Sequence, residues 1–306
     1  METTAQPLAR LRATPLSLDT FRRLAWTSAA MLVLVVGTGA TVRLTGSGLG
    51  CEHWPGCSPH HFEPRSFHSD VEFGNRIVAF FTILATLVTF VGALRARLSP
   101  RLRVLALATF VGTLLQAPLG AITIHYHLDP WLVLSHFLLS VVVLGLAIGL
   151  AVEVSRRVPE RLPDWVRVGG LLVWAAAGVL IVSGTLATAS GPHPGSSGKT
   201  IVHRVWAFEP AVYWHVRATA VFGVSFAALL VWLYRRRSAH LRWALIVLGL
   251  LALQMTIGEV QYRTGLRWWL VLGHVTVAAT VWAAFTAFVV RLWRSGAPAF
   301  RHRMSR

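Results

Sequence analysis

The chain has 306 residues, of which 55% are hydrophobic and 13% charged, and its mean hydropathy is +0.59. A soluble protein of this length needs more polar surface, so the composition excludes a soluble globular enzyme and points to an integral membrane protein. The formal net charge of +17 does not indicate a nucleic-acid partner, because the basic residues, nearly all arginine, sit in short clusters that punctuate long apolar runs.

Residues 1–24 are polar and basic. The first apolar run, Leu24 to Val42, is too long for a signal peptide and lacks its small-residue cleavage pattern, so it reads as an anchor that stays. Further runs follow at about 74–94, 104–124, 131–152, 168–189, 211–234, 243–262 and 268–292. Each is long enough to cross a hydrocarbon core about 30 Å thick, which gives an all-α protein of eight transmembrane helices. The N-terminal tail, the 2/3, 4/5 and 6/7 loops and the C-terminal tail hold 21 of the 29 basic residues. By the positive-inside rule these segments, and hence both termini, are cytoplasmic. The other loops, 43–73, 125–130, 190–210 and 263–267, are then external, and the two long ones, rich in Gly, Pro and His, are placed to cover a site.

An internal repeat divides the chain. A shift of 138 positions lays Gln116 on Gln254, Gly120 on Gly258, Leu128 on Leu266, Trp131-Leu132-Val133-Leu134 on Trp269-Leu270-Val271-Leu272, and His136 on His274, eight identities in twenty-one positions. Such a repeat means that one supersecondary unit is used twice. The reading is two pseudo-symmetric four-helix bundles, 25–154 and 168–292, joined by a cytoplasmic linker, 155–167, with tails 1–24 and 293–306. GTGATVRLTGSG at the end of helix 1 has a weaker echo in SGTLATASGP at the end of helix 5.

In this topology residues early in helices 2, 4, 6 and 8 share one depth near the outer face. They are Asn75, His136, His215 and His274. Ionisable groups inside a membrane span face the bundle interior with a partner. The pair His215 and His274 therefore either ligates a haem iron from opposite faces or joins neighbouring helices by hydrogen bonds. Glu72 lies three residues before Asn75, so it is either an acid/base group or an N-terminal glutamate settled by the helix dipole and Arg76. Glu259, where the first copy has Ala121, is either functional or the partner of Arg263 one turn on. Arg43, Arg76 and Arg217, at helix ends, could hold carboxylates bidentately or snorkel to the interface. His53, His60, His61 and His68 crowd the first external loop, with His68 nearest helix 2. Cys51 and Cys57 share that loop, and a disulfide follows if it faces the oxidising side.

Together TGSGLGCEHWPGC, VEFGNR, LQAPLGA followed by SHF, WHVRA and LGHV resemble the haem A synthase family over nearly the whole chain. The resemblance implies an eight-helix bundle of two four-helix halves. Its C-terminal half would hold a haem b cofactor between His215 and His274. Its N-terminal half would receive the substrate haem O, with His136 as a ligand, Glu72 as the family glutamate, and Cys51 and Cys57 as a disulfide. The implied reaction oxidises a porphyrin methyl group to a formyl group through successive hydroxylations and loss of water from a geminal diol. Electrons would leave through haem b to a quinone or other acceptor, and the enzyme that makes haem O would be a partner in the plasma membrane, the active-site side facing out. Asn75 departs from the family pattern E-x-x-H-R, which has histidine there, so His136 is expected to be the one strong protein ligand of its half, the other face being left to water, His68, or Asn75 through a water. Two other classes bind haem in this way, an electron carrier like cytochrome b and a non-catalytic haem transporter or oxidase-assembly factor. A carrier of two haems is expected to keep four ligands, and a transporter to show broken helices in both halves, whereas only Pro118 interrupts one, with Thr256 at the repeat position.

Overall fold

The computed structural model describes residues 16–51, 53–60, 62–155, 158–196 and 202–295. Tail arginines Arg10, Arg12, Arg301, Arg303 and Arg306, the linker pair Arg156 and Arg157, and His61 lie outside the described residues. Eight helices follow one another: α1 (Leu18–Leu44), α2 (Phe67–Arg95), α3 (Pro100–His125), α4 (Pro130–Glu153), α5 (Asp164–Ser190), α6 (Phe208–Arg235), α7 (Leu241–Arg263) and α8 (Trp268–Arg294). All eight are long and apolar enough to cross a membrane. Among the described residues the only extended pairing is one isolated bridge, Ser47 with Ser196.

Local chemistry sets where the helices begin. Ser17 accepts from the Thr20 amide ahead of α1, and Asp129 accepts from the amides of Trp131 and Leu132 with Pro130 in the first turn of α4. Ser66 and Ser69 close a reciprocal capping box at the start of α2. That box starts α2 seven residues before its apolar run, so the polar turn containing Asp70 and Glu72 is helical. Similarly, α1 already includes residues 18–23 of the expected tail. With the true starts, Asn75 lies eight residues into α2, His215 seven into α6, and His136 and His274 each six into α4 and α8. All four are then roughly 9 to 12 Å along their helices.

Within the first half α1 touches α2 and α4, and α3 touches α2 and α4, which closes a ring; α5 to α8 close in the same way. Between the halves α4 meets α8, flanked by α1 against α8 and α4 against α5. Exchanging the halves leaves this set of neighbours unchanged. The connecting turns repeat as well. Leu128 (φ 63°) and Leu266 (φ 56°) are both left-handed, and their amides donate to Thr123 O at 2.9 Å and Gln261 O at 2.8 Å, five residues back in each case. Arg97 (φ 50°) and Arg237 (φ 49°) match in the same way between α2 and α3 and between α6 and α7.

Helix α8 is the central element: half, 50%, of its most apolar stretch is buried, against 11% for α7 at the periphery. Phe222 and Phe226 of α6 pack edge-on against Phe285 of α8, with ring centroids 5.3 and 5.6 Å apart, and fill the second half below its histidines. The first half is filled there by smaller groups. Thr82, Thr86 and Thr89 of α2 are buried, and Ser28 of α1 meets Thr89 Oγ1 at 2.7 Å and donates to Ala85 O at 2.9 Å. Exposed Phe80, Val104, Leu172 and Val224 form lipid-facing surface, and exposed Trp131, Trp206, Trp268 and Trp269 ring one end of the bundle.

Candidate functional site

The two long loops and the four early positions of the even-numbered helices lie at the same end of the bundle. In the second half His215 Nδ1 meets Ser183 Oγ of α5 at 3.1 Å, and its ring lies flat enough on α5 that a Cβ on Gly184 would come within 2.8 Å of Cε1. His274 Nε2 meets the Gln254 amide nitrogen of α7 at 3.0 Å, and a Cβ on Gly258 would come within 2.9 Å of its Cε1. So each ring is pressed onto a glycine and oriented by one polar group of the preceding helix. The two imidazoles are close enough to each other to interact electrostatically. His274 Nδ1 is buried with no hydrogen-bond partner. The Gln254 amide nitrogen can only donate, so while it faces Nε2 the neutral ring carries its proton on Nδ1; with the amide turned, its oxygen, itself buried without a partner, takes the Nε2 proton and leaves Nδ1 as a lone pair for a haem iron.

The first half repeats the seats with looser fits. Thr38 Oγ1 of α1 donates to Asn75 Oδ1 at 2.7 Å, and a Cβ on Gly39 would sit 3.9 Å from that oxygen. Thr38-Gly39 thus corresponds to Ser183-Gly184. On the other side a Cβ on Gly120 would sit 3.5 Å from His136 Cε1. The Gln116 amide satisfies its surroundings when its nitrogen donates to His136 Nδ1 at 3.1 Å and its oxygen accepts from Ser140 Oγ at 2.9 Å. The duplicated Gln and Gly of the sequence repeat are therefore the supports of the duplicated histidine. Sequence reasoning counted those identities without assigning them a role, and the signal was the repeat itself. Ser183 and Thr38 carried no such signal, because their echo is weak and their partners are distant in the chain.

Glu72 is buried beneath the first loop. Its Oε1 accepts from Arg76 at 2.5 Å and its Oε2 from the Cys51 amide at 2.9 Å. Cys51 and Cys57 form a disulfide. Arg76 also donates to the carbonyls of His53, Pro55 and Gly56 at 2.7, 3.0 and 2.8 Å. The Glu72–Arg76 pair thus clamps the disulfide-closed loop onto α2. His68 Nδ1 meets Ser47 Oγ at 2.9 Å at the base of that loop. Arg43 spans the halves, donating to Thr188 O at 2.9 Å and His193 O at 3.1 Å. Beside it Gly48 N donates to Gly195 O at 2.8 Å, an approach a Cβ on Gly48 would block, and Gly195 itself is left-handed (φ 101°). Arg217 is exposed with its guanidinium over the Tyr213 ring. Glu259 is exposed and paired with Arg263.

Among the described residues no group of three or more His, Cys, Asp or Glu could hold a bare metal ion. The donors come as one pair and one single histidine, which suits a metal that brings its own equatorial ligands. Fold and site define a class, a multi-pass helical membrane protein with two equivalent histidine-bearing seats at one end. The comparisons are more specific. The family model described as cytochrome oxidase assembly protein (COX15-CtaA) matches residues 22–70 and 66–286, and the chain belongs to that family. A heme A synthase of Geobacillus kaustophilus is 28% identical over 277 residues, 83% of this chain and 86% of its own length. Shorter matches include heme A synthases of Staphylococcus epidermidis, 30% identical over 126 residues and 41% of each chain, and of Symbiobacterium thermophilum, 35% identical over 102 residues and 33% of each chain.

Proposed function

We propose that this chain is a haem A synthase, an oxidoreductase that converts a methyl group of haem O to a formyl group by successive hydroxylations and loss of water. The observation that carries the reading is the asymmetry of two otherwise matched seats. Where one half has a pair of glycine-seated histidines, the other has a single histidine facing an amide, and a relative matched along 83% of the chain is a heme A synthase. His215 and His274 would hold a haem b, with Ser183 and Gln254 fixing the ring planes. When bound, that haem supplies an acceptor for the electrons removed from the substrate.

His136 would ligate haem O in the first half through Nε2, with the Gln116 amide turned so that its oxygen accepts the Nδ1 proton and its nitrogen donates to Ser140 Oγ. Thr38 engages the oxygen of Asn75 and so leaves its amide N–H groups as donors toward the pocket. Asn75 then acts on a water or substrate oxygen and not as an iron ligand. Glu72 is committed to Arg76 and the Cys51 amide, so its contribution is to hold the loop over the first site and, through that contact, to place its carboxylate beside the substrate. Arg217 remains the candidate for a haem propionate, while the donors of Arg43 and Arg76 serve backbone carbonyls of the loops and helix ends. The arginine-rich end faces the cytoplasm and the site end faces outward from the plasma membrane, with haem O arriving from the enzyme that makes it and electrons passing on to a quinone or similar acceptor.

The test is to extract and identify haems from the purified full-length protein expressed with and without a haem O source. Haem b in both preparations, with haem A or its hydroxylated precursor only in the first, is the expected result. Haem b alone in both would favour an electron carrier instead.

A further inference from the structure

At the opposite, arginine-rich end, α7 begins where α8 finishes. The guanidinium of Arg242 lies 5.1 Å from the Trp243 ring centroid and that of Arg291 lies 4.1 Å from it. Two cations thus share one indole, and Arg294 is near enough to repel Arg291 further. Among the described residues neither Arg242 nor Arg291 has a carboxylate partner. Glu153 is taken by Arg101 and Arg294. Glu160 accepts from Ser238 Oγ at 2.8 Å and from the Ala239 amide at 2.9 Å.

The same place holds donors without acceptors. Trp243 Nε1 is buried and has none, and His240, the fully buried residue capping α7, has no partner at either ring nitrogen. His240 is within electrostatic reach of Arg242 and Arg291. Burial holds its imidazole below the ordinary histidine range, with Glu160 opposing and the two arginines adding to the effect, so it is neutral and keeps one N–H to give. The first amides of α7 are largely taken, Leu241 N donating to Ser238 O at 3.0 Å and the amides of Trp243 and Ala244 to His240 O at 3.0 and 3.2 Å, so this end adds its helix dipole and not free amides. One Arg291 N–H is given to Ala287 O at 3.0 Å and the Glu160 carboxylate is held by Ser238 and Ala239, so the two guanidiniums keep further N–H groups and an unbalanced positive charge beside Trp243, which is the complement of an anion.

We propose that Arg242, Arg291 and Trp243 form a binding site for the phosphate group of an anionic membrane lipid. The lipid is favoured over free phosphate because apolar surface runs directly away from the site along α7, where Leu245, Ile246 and Leu248 are exposed, as acyl chains require. Exposed Arg235 and Arg237 line an open groove of about 440 Å³ just before it and add a second, less specific attraction.

The test uses the full-length protein in bilayer nanodiscs of phosphatidylcholine, with and without phosphatidylglycerol, and with inorganic phosphate as a third arm. Retention of phosphatidylglycerol is read by native mass spectrometry after detergent extraction. The wild type retains it, inorganic phosphate at millimolar concentration does not displace it, and Arg242→Gln and Arg291→Gln each lower retention about five-fold. Arg235→Gln with Arg237→Gln lowers it less than either. Trp243→Phe, which keeps an aromatic face for the guanidiniums but loses the pyrrole ring with its N–H, weakens retention while preserving insertion, and carries the test if the arginine variants fail to insert. Equal retention by wild type and Trp243→Phe, a loss with the groove variants as large as with Arg242→Gln, or displacement by inorganic phosphate would each overturn the proposal.

Discussion

The two halves carry the same seats with different tolerances. In the second, Cβ atoms added at Gly184 and Gly258 would come within 2.8 and 2.9 Å of the rings of His215 and His274, below any ordinary contact. In the first, the corresponding additions at Gly39 and Gly120 would lie 3.9 and 3.5 Å from Asn75 and His136, ordinary van der Waals distances. The packing beneath differs in the same sense, aromatic and interlocked in the second half but threonine-rich in the first. A group held for good needs ligands fixed within a fraction of an ångström, whereas a group that must enter, react and leave needs one firm ligand and some slack. The difference is what the proposed division into a cofactor half and a substrate half requires of a chain whose sequence repeats.

The sharpest way to break that comparison is at the glycines. Gly184→Ala and Gly258→Ala force a ring off its seat and are expected to abolish the low-spin haem spectrum of the purified protein, while Gly39→Ala and Gly120→Ala leave it intact. Equal effects in both halves would remove the distinction. A smaller effect is expected from the orienting amide: Gln254→Leu leaves the His274 ring unsupported, and second-sphere losses of this kind weaken metal binding about 10- to 100-fold. Titration of haem into the apoprotein measures it, and Gln116→Leu should leave that titration unchanged. Confined to the first loop, and without effect on haem binding, is Glu72→Gln, which keeps an acceptor for the Cys51 amide but removes the charge facing Arg76. Breaking this buried pair is expected to destabilise the loop by about 3 kcal/mol, read as faster proteolysis between Cys51 and Ser66 with haem b content unchanged.

The eight spans and the duplication were legible in the sequence because apolar length and repeated identities are local, additive signals. The four early positions followed from them, since a shared topology puts equivalent residues at equivalent depth. The helix starts were not, because α2 begins in a polar turn whose helical state depends on Ser66 and Ser69 and not on hydropathy. Nor were the supports. Ser183 reaches a histidine 32 residues away and Thr38 an asparagine 37 residues away, contacts that exist only once the helices pack. Glu72 illustrates the same limit. Its proximity to Arg76 was readable, but its bond to the Cys51 amide, which ties the disulfide loop to the helix, comes from the fold of the loop.

The central claim is that the second half binds haem through two histidines and the first through one. Electron paramagnetic resonance of the protein loaded with haem O, compared between wild type and Asn75→His, tests it most directly. The account predicts one bis-histidine low-spin signal in the wild type beside a haem of different ligation, and a second bis-histidine signal in Asn75→His. A wild-type spectrum with two bis-histidine signals, or a substrate-haem signal unchanged by Asn75→His, would contradict it.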